Sequence, residues 1–340
     1  MDHLKVALLG GTFNPIHNGH LKIAKHMLDY FNFDEVWLLL AKAAPLKDAS
    51  EVAYDDRKAM MLLMLADYPN IKLCEIEAEL PTPSYTIHTI EALQARYPHE
   101  FAFVIGSDQA QQFHLWKAYE TLLEKVTFYE VGRNGSFSNW ETFVRVDALS
   151  STSSTAIRKG QSNDTNPKVL KYMIMHHLYD ASILRQHMQP KRLAHSQRVC
   201  ETALDIAKHH HLDLDVVQVA AMYHDVAKAW GINDAFCYLR KHSDVGDLPK
   251  HLWHPYWGSQ LLKHYYHVDN RDILLAIRHH VNGSDASSIS QIIYIADKIE
   301  PGRGYDSEPL LALAKTNLNQ AFERVQDENK QYILKQGDRK

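Results

Sequence analysis

A glycine-rich turn, GGTFNPIHNGH at residues 10–20, joins a strand-like stretch to a helix-like one near the start of the chain. The stretch before it, residues 5–9, is apolar and is stopped by glycine, as in a buried strand. The two leading glycines let the backbone turn and approach a ligand closely. From His17 onward the apolar residues recur with helical spacing, so His17 and His20 share one face of the first helical turn. Backbone N–H groups and the positive end of the helix dipole favour anions there, which predicts a polyphosphate site.

Strand-like and helix-like segments alternate through the first half of the chain, which predicts an α/β fold with a doubly wound parallel sheet, Rossmann-like in type. Gly10, Gly106 and Gly132 each follow a predicted strand. Because ligands bind at the carboxyl ends of such strands, we expect the three loops to meet at one rim. The predicted strands are residues 5–9, 35–40, 71–76, 101–105 and 126–131, and the predicted helices are 56–66, 86–97, 116–123 and 169–177.

The second half of the chain shows only helical periodicity, which predicts an all-α domain. The stretch 181–190 is interpreted as a junction, so the predicted domains are residues 1–182 and 183–340. Two polar loops, 134–139 and 161–166, are expected on the surface. The predicted helices are residues 192–211, 215–229, 257–266, 271–280, 288–299 and 309–334.

Composition narrows the class of protein. A length of 340 residues suits about two domains, and a formal charge of −4 argues against a general nucleic-acid coat. No apolar run approaches the ~18 residues of a membrane span, and no signal-peptide pattern opens the chain. Three widely spaced cysteines favour a reducing cytoplasm over a disulfide framework. Histidine is abundant, with 22 copies of which thirteen follow residue 182, and this excess reflects either drift or metal and phosphate chemistry, which the positions of the histidines must decide.

Further motifs in the first half match one known superfamily. Lys47 stands in APLK where many members carry PPHK, and residues 84–89, SYTIHT, resemble SYTxDT with His88 replacing aspartate. A GxD loop follows at residues 106–108, and residues 152–158, TSSTAIR, resemble ISSTxIR. Over residues 1–182 the chain therefore resembles the HxGH nucleotidyltransferase superfamily, and within it the nicotinate-mononucleotide adenylyltransferase branch.

This resemblance implies transfer of AMP from ATP, with Mg²⁺ bridging its phosphates, to nicotinate mononucleotide. His17 and His20 would donate hydrogen bonds to the α-phosphate, while Lys47 and Arg158 would neutralise leaving pyrophosphate. Serine and threonine hydroxyls at a helix start would hold the other phosphates, and Trp116 would stack on the pyridine. The implied substrate-binding residues are Gly10, Gly11, Thr12, Phe13, Tyr85, Thr86, Gly106, Asp108, Trp116, Arg133, Ser153, Ser154 and Thr155.

An ordered series of imidazoles and carboxylates marks the second half. Nitrogen and oxygen ligands without thiolate suit Fe, Mn or Zn better than Ca, and Asp225 could bridge two ions. The candidate metal ligands are His195, His224, Asp225, His254, His280 and Asp297. With residues 292–303, IIYIADKIEPGR, the series resembles the HD-domain phosphohydrolases, specifically the YqeK-like symmetrical diadenosine-tetraphosphate hydrolases.

That resemblance implies two metal ions, with iron the first choice, and cleavage of diadenosine tetraphosphate to two ADP. Lys228 and Arg303 would hold phosphate oxygens. Two alternatives stay open at this point. The first half could adenylylate another acceptor, such as phosphopantetheine, beside a general nucleotide phosphohydrolase, or one half could be a non-catalytic nucleotide sensor. No nucleic-acid or membrane partner is expected.

Overall fold

The computed structural model describes residues 3–42, 52–132, 135–230, 245 and 248–337. The chain divides into two compact units. The first comprises Met1–Arg158 and Asp164–Val169, and the second comprises Lys159–Asn163 and Leu170–Lys340. None of the helices within the described ranges is long and apolar enough to cross a membrane.

The first unit is built on a six-stranded sheet in the order β3-β2-β1-β4-β5-β6, with every neighbouring pair parallel. This order reverses direction between β1 and β4, where a doubly wound sheet opens a crevice for ligands. The predicted α/β class and parallel sheet are confirmed. The strands are β1 (Lys5–Gly11), β2 (Glu35–Leu40), β3 (Ile71–Cys74), β4 (Glu100–Gly106), β5 (Thr127–Val131) and β6 (Val144–Val146).

The sequences of the central strands are nearly continuous apolar runs because helices cover both faces of the sheet. Val6, Leu8 and Leu39 are fully buried, and Phe103 and Phe128 join them in the aromatic core. The helices of this unit are α1 (Asn18–Phe31), α2 (Tyr54–Leu65), α3 (Ile76–Glu79), α4 (Thr86–Arg96), α5 (Ser107–Ala110), α6 (Tyr119–Lys125) and α7 (Ser154–Arg158).

The second unit is helical throughout its described part, as predicted. Helix α10 (Pro190–His209) begins with proline at its first position, where the missing N–H costs nothing. Helix α8 spans the division between the two units. The remaining helices are α8 (Pro167–Met175), α9 (Asp180–His187), α10 (Pro190–His209), α11 (Leu214–Tyr223), α12 (Trp253–Gln260), α13 (Arg271–His279), α14 (Ser288–Ile299), α15 (Glu308–Thr316) and α16 (Leu318–Gly337).

Several element predictions were wrong in ways that affect the sites. The stretch predicted as a junction contains helix α9, whose Ile183 and Leu184 are fully buried. The helix predicted over 215–229 ends at Tyr223, so His224 and Asp225 lie in the turn that follows. The helix predicted over 309–334 is two helices, because Asn317 ends α15 and its side chain caps α16.

Smaller differences concern the ends of elements. Trp116 precedes helix α6 instead of lying in it, and strand β3 ends at Cys74. Strand β6 was not predicted. The helix predicted over 257–266 begins earlier, as α12, and ends in one π-helical turn, Leu261–Tyr265.

The two polar loops are not plain surface. In the first, Ser138 is buried and its hydroxyl donates to Glu130 Oε2 at 2.8 Å. In the second, Thr165 is buried and its hydroxyl donates to the carbonyl oxygen of Ile16 at 2.8 Å. Buried polar groups need such partners, so both loops are fixed parts of the fold.

Candidate active sites

The glycine-rich turn between β1 and α1 orients two imidazoles through the backbone. His17 caps α1, and its Nδ1 accepts a hydrogen bond from the backbone N–H of Gly19 at 3.1 Å. His20 Nδ1 in turn accepts from the backbone N–H of His17 at 3.2 Å, and the two rings stack with centroids 3.8 Å apart. A neutral imidazole that accepts at Nδ1 carries its proton on Nε2. The turn therefore makes each Nε2–H a hydrogen-bond donor.

Gly19 is required by this arrangement. A Cβ atom at position 19 would lie 2.8 Å from both Cε1 and Nδ1 of His17, closer than carbon atoms approach without a shift. Phe13 reinforces the turn from the other side: its buried ring meets the His20 ring edge-on, with centroids 4.9 Å apart. The close approach of backbone and ring explains the glycine of the HNGH motif.

A cavity of about 560 Å³ opens beside these imidazoles. We call it the histidine cavity. Gly10, Gly106 and Gly132 all line it, which confirms the prediction that their loops meet at one rim. The other sequence-predicted residues that line it are Gly11, Thr12, Phe13, His17, His20, Asp108, Ser153, Ser154, Thr155 and Arg158.

Hydrogen bonds tie the TSSTAIR segment to the same turn. The Ser154 hydroxyl donates to the carbonyl oxygen of Pro15 at 2.9 Å, and Ser153 Oγ accepts from the backbone N–H of Ala156 at 3.1 Å. Arg158 donates through Nη1 to the carbonyl oxygen of Asn14 and through Nη2 to Thr155 Oγ1 at 3.0 Å. The guanidinium is therefore held at the edge of the histidine cavity.

Asp164 is a positioning residue that the sequence reasoning missed. One carboxylate oxygen accepts from Asn18 Nδ2 at 2.7 Å, and the other accepts from the Thr152 hydroxyl. It thereby connects the start of α1 to the segment before α7. The polar composition of its loop gave no signal for this role.

A second cavity, of about 540 Å³, meets the first at the glycine-rich turn. We call it the tryptophan cavity. Its walls include the predicted residues Tyr85, Thr86 and Trp116, with Gly10, Gly11, Thr12 and Asp108 shared between the two cavities. Trp116 packs edge-on against Phe103, with ring centroids 5.9 Å apart. A size of this order and apolar walls suit a small organic ring.

Two charged residues of the tryptophan cavity were not predicted. Glu77 is 7% exposed, and one carboxylate oxygen accepts from the Thr89 hydroxyl at 3.3 Å. Desolvation raises the pKa of Glu77 to about 7. Lys117 follows Trp116 and also lines the cavity. Of the residues predicted for this site, Lys47 and Arg133 lie outside the described residues.

In the second unit all six predicted metal ligands converge. They lie in or directly after helices α10, α11, α12, α13 and α14, and all are buried. His195 Nε2 lies 3.1 Å from Asp297 Oδ1, and His254 Nε2 lies 3.0 Å from Asp225 Oδ1. Two overlapping groups could each hold an ion: His195, His224 and Asp297, and His224, Asp225 and His280.

The orientation of the imidazoles fits metal binding. Nδ1 of His224 lies 2.6 Å from the carbonyl oxygen of Ala221, and Nδ1 of His280 lies 2.7 Å from that of Ile277. A ring that donates from Nδ1 keeps a lone pair on Nε2. Among the described residues His224 Nε2 has no hydrogen-bond partner although it is buried, an arrangement that a metal ion would complete.

Burial favours the neutral form of two imidazole ligands, and a neighbouring cation favours the charged form of one carboxylate ligand. Desolvation lowers the pKa of His224 and of His254 to about 4, so both rings are neutral near pH 7. Burial alone would raise the pKa of Asp297, but the cation of Lys298 holds it well below its ordinary value. Neutral imidazoles and charged carboxylates are the forms that bind metals.

Cations surround the carboxylates of this cluster. Arg303 Nη2 donates to Asp297 Oδ1 at 2.7 Å, and Lys228 Nζ lies 3.1 Å from His254 Nε2, so both predicted cations lie beside the ligands. Arg192, which was not predicted, donates to Asp225 Oδ2 at 2.8 Å. Lys228 and Arg192 line a cavity of about 260 Å³ that also includes Lys191.

Glu300 contacts the candidate metal ligand His195 at its Nδ1 atom. Its Oε1 lies 3.1 Å from His195 Nδ1, while Oε2 accepts from Arg198 Nε and from the backbone N–H of Gly302, each at 2.6 Å. A carboxylate behind an imidazole fixes its tautomer and its orientation. The neighbouring imidazole His279 lies outside the cluster and contacts Ser284 Oγ at 2.6 Å.

Comparison with known proteins finds matches for both halves of the chain. Residues 8–160 match the Cytidylyltransferase-like family, and residues 192–302 match the HD domain. A protein of Flavobacterium johnsoniae named probable nicotinate-nucleotide adenylyltransferase is 36% identical over 192 residues, which cover 52% of this chain and 99% of that one.

Two relatives match along nearly the whole chain, and both are named probable nicotinate-nucleotide adenylyltransferase/Ap4A hydrolase. The one from Mycoplasma genitalium is 28% identical over 94% of this chain and 95% of its own length. The one from Mycoplasma pneumoniae is 27% identical over 93% of this chain and 96% of its own. With the His–Asp cluster, the HD match indicates a divalent-metal site. The chain therefore belongs to the nicotinate-nucleotide adenylyltransferase family, and its residues 192–302 match the HD domain.

Proposed function

We propose that this chain is a bifunctional enzyme of adenine-nucleotide metabolism. The first unit transfers AMP from ATP to nicotinate mononucleotide, giving deamido-NAD and pyrophosphate. The HD domain hydrolyses diadenosine tetraphosphate symmetrically to two ADP. The observation that carries the first activity is the pair of imidazoles whose Nδ1 atoms are held by backbone N–H groups.

In the first reaction a phosphate oxygen of the mononucleotide attacks the α-phosphorus of ATP. The new P–O bond forms as the bond to the bridging oxygen breaks, and pyrophosphate leaves with its electron pair. His17 and His20 donate from Nε2 to the α-phosphate oxygens as negative charge develops there. Losing one such donor costs about 3 kcal/mol of barrier. Arg158 neutralises the departing pyrophosphate, and Mg²⁺ arrives with ATP.

The two cavities divide the substrates between them. The histidine cavity takes the reacting phosphates, because its walls include the imidazoles, the hydroxyls of residues 153–155 and Arg158. The tryptophan cavity takes the pyridine ring against Tyr85 and Trp116. Since the cavities share the glycine-rich turn, one nucleotide can span both.

In the HD domain, His195, His224, Asp225, His254, His280 and Asp297 would hold two metal ions. When bound, such ions supply Lewis acidity and a water molecule of lowered pKa. Nitrogen and oxygen donors without sulfur favour iron, manganese or zinc, and we propose iron. Lys191, Arg192 and Lys228 line the cavity beside the cluster and would bind the polyphosphate chain.

Product analysis on the whole protein tests both activities. With ATP, Mg²⁺ and nicotinate mononucleotide, we expect equal amounts of deamido-NAD and pyrophosphate. With diadenosine tetraphosphate and iron-loaded protein, we expect ADP as the sole nucleotide product. Phosphopantetheine as the preferred acceptor would reject the first assignment, and AMP plus ATP from the dinucleotide would reject the symmetrical cleavage.

A further inference from the structure

Lys117 places a positive charge at the wall of the tryptophan cavity. Among the described residues that line this cavity, the charged ones are Glu77, Asp108 and Lys117, so Lys117 is their one cation. Its ammonium group lies 4.6 Å from the centroid of the Tyr85 ring, an arrangement that holds it over the aromatic wall. The charge is therefore located where the pyridine ring of the mononucleotide is proposed to lie.

His88 determines whether that charge is available. Lys117 Nζ lies 3.3 Å from His88 Nε2. An ammonium group can only donate, so His88 Nε2 accepts and the ring is neutral. Position 88 carries aspartate in the motif that this segment resembles. A carboxylate there would form an ion pair with Lys117 and cancel its charge, whereas the neutral imidazole fixes the ammonium group and leaves its charge intact.

The position of Lys117 separates it from the reacting phosphates. It lines the tryptophan cavity and is absent from the lining of the histidine cavity, where the phosphates are proposed to bind. Glu77, which lines the same cavity, is buried, and burial raises the pKa of its carboxyl to about 7. The raised pKa of Glu77 reduces its repulsion of an anionic ring substituent, while Lys117 attracts such a substituent.

We propose that Lys117, positioned by His88, is a specificity-determining residue that attracts the ring carboxylate of nicotinate mononucleotide and so favours it over nicotinamide mononucleotide. The two mononucleotides share ribose and phosphate and differ only in the charged carboxylate against the neutral amide. This inference rests on the proposed adenylyl transfer. Lys117 is exposed, so solvent screens the interaction and its effect is a modest one.

The test compares KM and kcat for each mononucleotide, at saturating ATP and low ionic strength. Lys117→Met removes the charge, Lys117→Arg keeps it, and His88→Asp neutralises it in place. For nicotinate mononucleotide we expect KM to rise about twofold to fivefold in Lys117→Met and His88→Asp, with kcat within about twofold. For nicotinamide mononucleotide, KM should stay within about 1.5-fold in either variant. Lys117→Arg keeps the charge, so its KM ratio for the two mononucleotides should lie closer to that of the unmodified protein than the ratio of Lys117→Met does.

Added salt should reduce the preference of the unmodified protein for nicotinate mononucleotide towards that of Lys117→Met. Thermal melting shows that the variants fold. An equal loss with both mononucleotides would overturn the inference, because it would place Lys117 on the shared ribose phosphate or in the fold. An unchanged KM ratio in Lys117→Met would also overturn it. Absence of pyrophosphate release from the unmodified protein with either mononucleotide would instead reject the proposed function, and the inference with it.

Discussion

Ionisation of Glu77 should make the first unit less stable as the pH rises, and a side chain that cannot ionise should remove this pH dependence. The carboxyl is 7% exposed, and desolvation raises its pKa from 4.5 to about 7. Because the folded state binds this proton more tightly than the unfolded state, the stabilising contribution is complete below about pH 4.5 and is lost as the pH rises through about 7. Glu77→Gln keeps the shape and an acceptor for the Thr89 hydroxyl but cannot ionise.

The magnitude follows from the two pKa values. The interval from 4.5 to about 7, at about 1.4 kcal/mol per pH unit, limits the effect to about 3 kcal/mol. Most of it falls between pH 5 and pH 8, so the stability of Glu77→Gln relative to the unmodified protein should rise by roughly 2 to 3 kcal/mol over that range. The nearby Cys74 and Tyr54 do not titrate there, because burial raises the pKa of the thiol and raises that of the phenol to about 12.

Urea denaturation of the full chain measures the difference, with hydrogen exchange of amides in β1 and β4 assigning the transition to the first unit. A shift of this size corresponds to roughly 5 to 10 °C in melting temperature. Glu79→Gln is the matched control: Glu79 belongs to the same short helix but is exposed, and the hydrogen bond from Arg96 lowers its pKa. At pH 8, Glu79→Gln should be no more stable to urea than the unmodified protein. A constant difference between Glu77→Gln and the unmodified protein from pH 5 to pH 8 would refute the desolvation argument.

The remaining predictions address the two sites. His17→Ala should lower pyrophosphate release at least about a hundredfold. His17→Asn keeps a residue that can cap the helix, so it should lose the same activity while its melting temperature is retained. Full activity in His17→Asn would contradict the donor role. Glu300→Gln should weaken iron binding about tenfold to a hundredfold in chelator competition, whereas the exposed Glu308→Gln should not. Asp225→Asn should abolish ADP formation and leave pyrophosphate release within about twofold; persistence of the hydrolysis would exclude Asp225 as a ligand. In ¹⁵N spectra of the metal-free protein, His17 should carry its proton on Nε2 and His280 on Nδ1, and the reverse pattern would contradict the hydrogen bonds on which both sites depend.

The parallel sheet was predictable from the sequence because it depends on local patterns, whereas the two sets of converging residues were predicted from resemblance to known families. Apolar runs stopped by glycine indicate buried parallel strands, and motif spacing places side chains relative to helix ends. Burial of isolated charged residues depends on tertiary packing instead. Glu77 lies two residues from Glu75 and from Glu79, yet only Glu77 is buried. The three glutamates alternate with other residues in the same way, so the sequence pattern does not show which of them is buried.

The residues at which helices end were also difficult to predict from the sequence. Apolar periodicity continues through residues 216–229, yet α11 ends at Tyr223. If the helix continued, adjacent side chains at positions 224 and 225 would point about 100° apart. The turn instead allows Asp225 Oδ2 to lie 3.6 Å from His224 Nε2. At Asn317 a local signal did exist, because asparagine is a favoured helix cap, but an unbroken apolar pattern obscured it.

Histidine serves the two sites in opposite roles, and for three of the histidines the end of a helix determines the role. His17 lies at the start of α1, where backbone N–H groups lack partners, so its Nδ1 accepts a hydrogen bond from one of them and Nε2–H becomes a donor suited to phosphate. His224 and His280 lie at the ends of α11 and α13, where carbonyl oxygens lack partners, so each Nδ1 donates and Nε2 offers a lone pair suited to a metal. For His17, His224 and His280, the end of the helix thus determines whether the ring presents an N–H group suited to phosphate or a lone pair suited to a metal. His195, within α10, and His254, at the start of α12, are oriented by side-chain contacts instead. A histidine count cannot show this difference, but a motif that places each histidine relative to a helix end can.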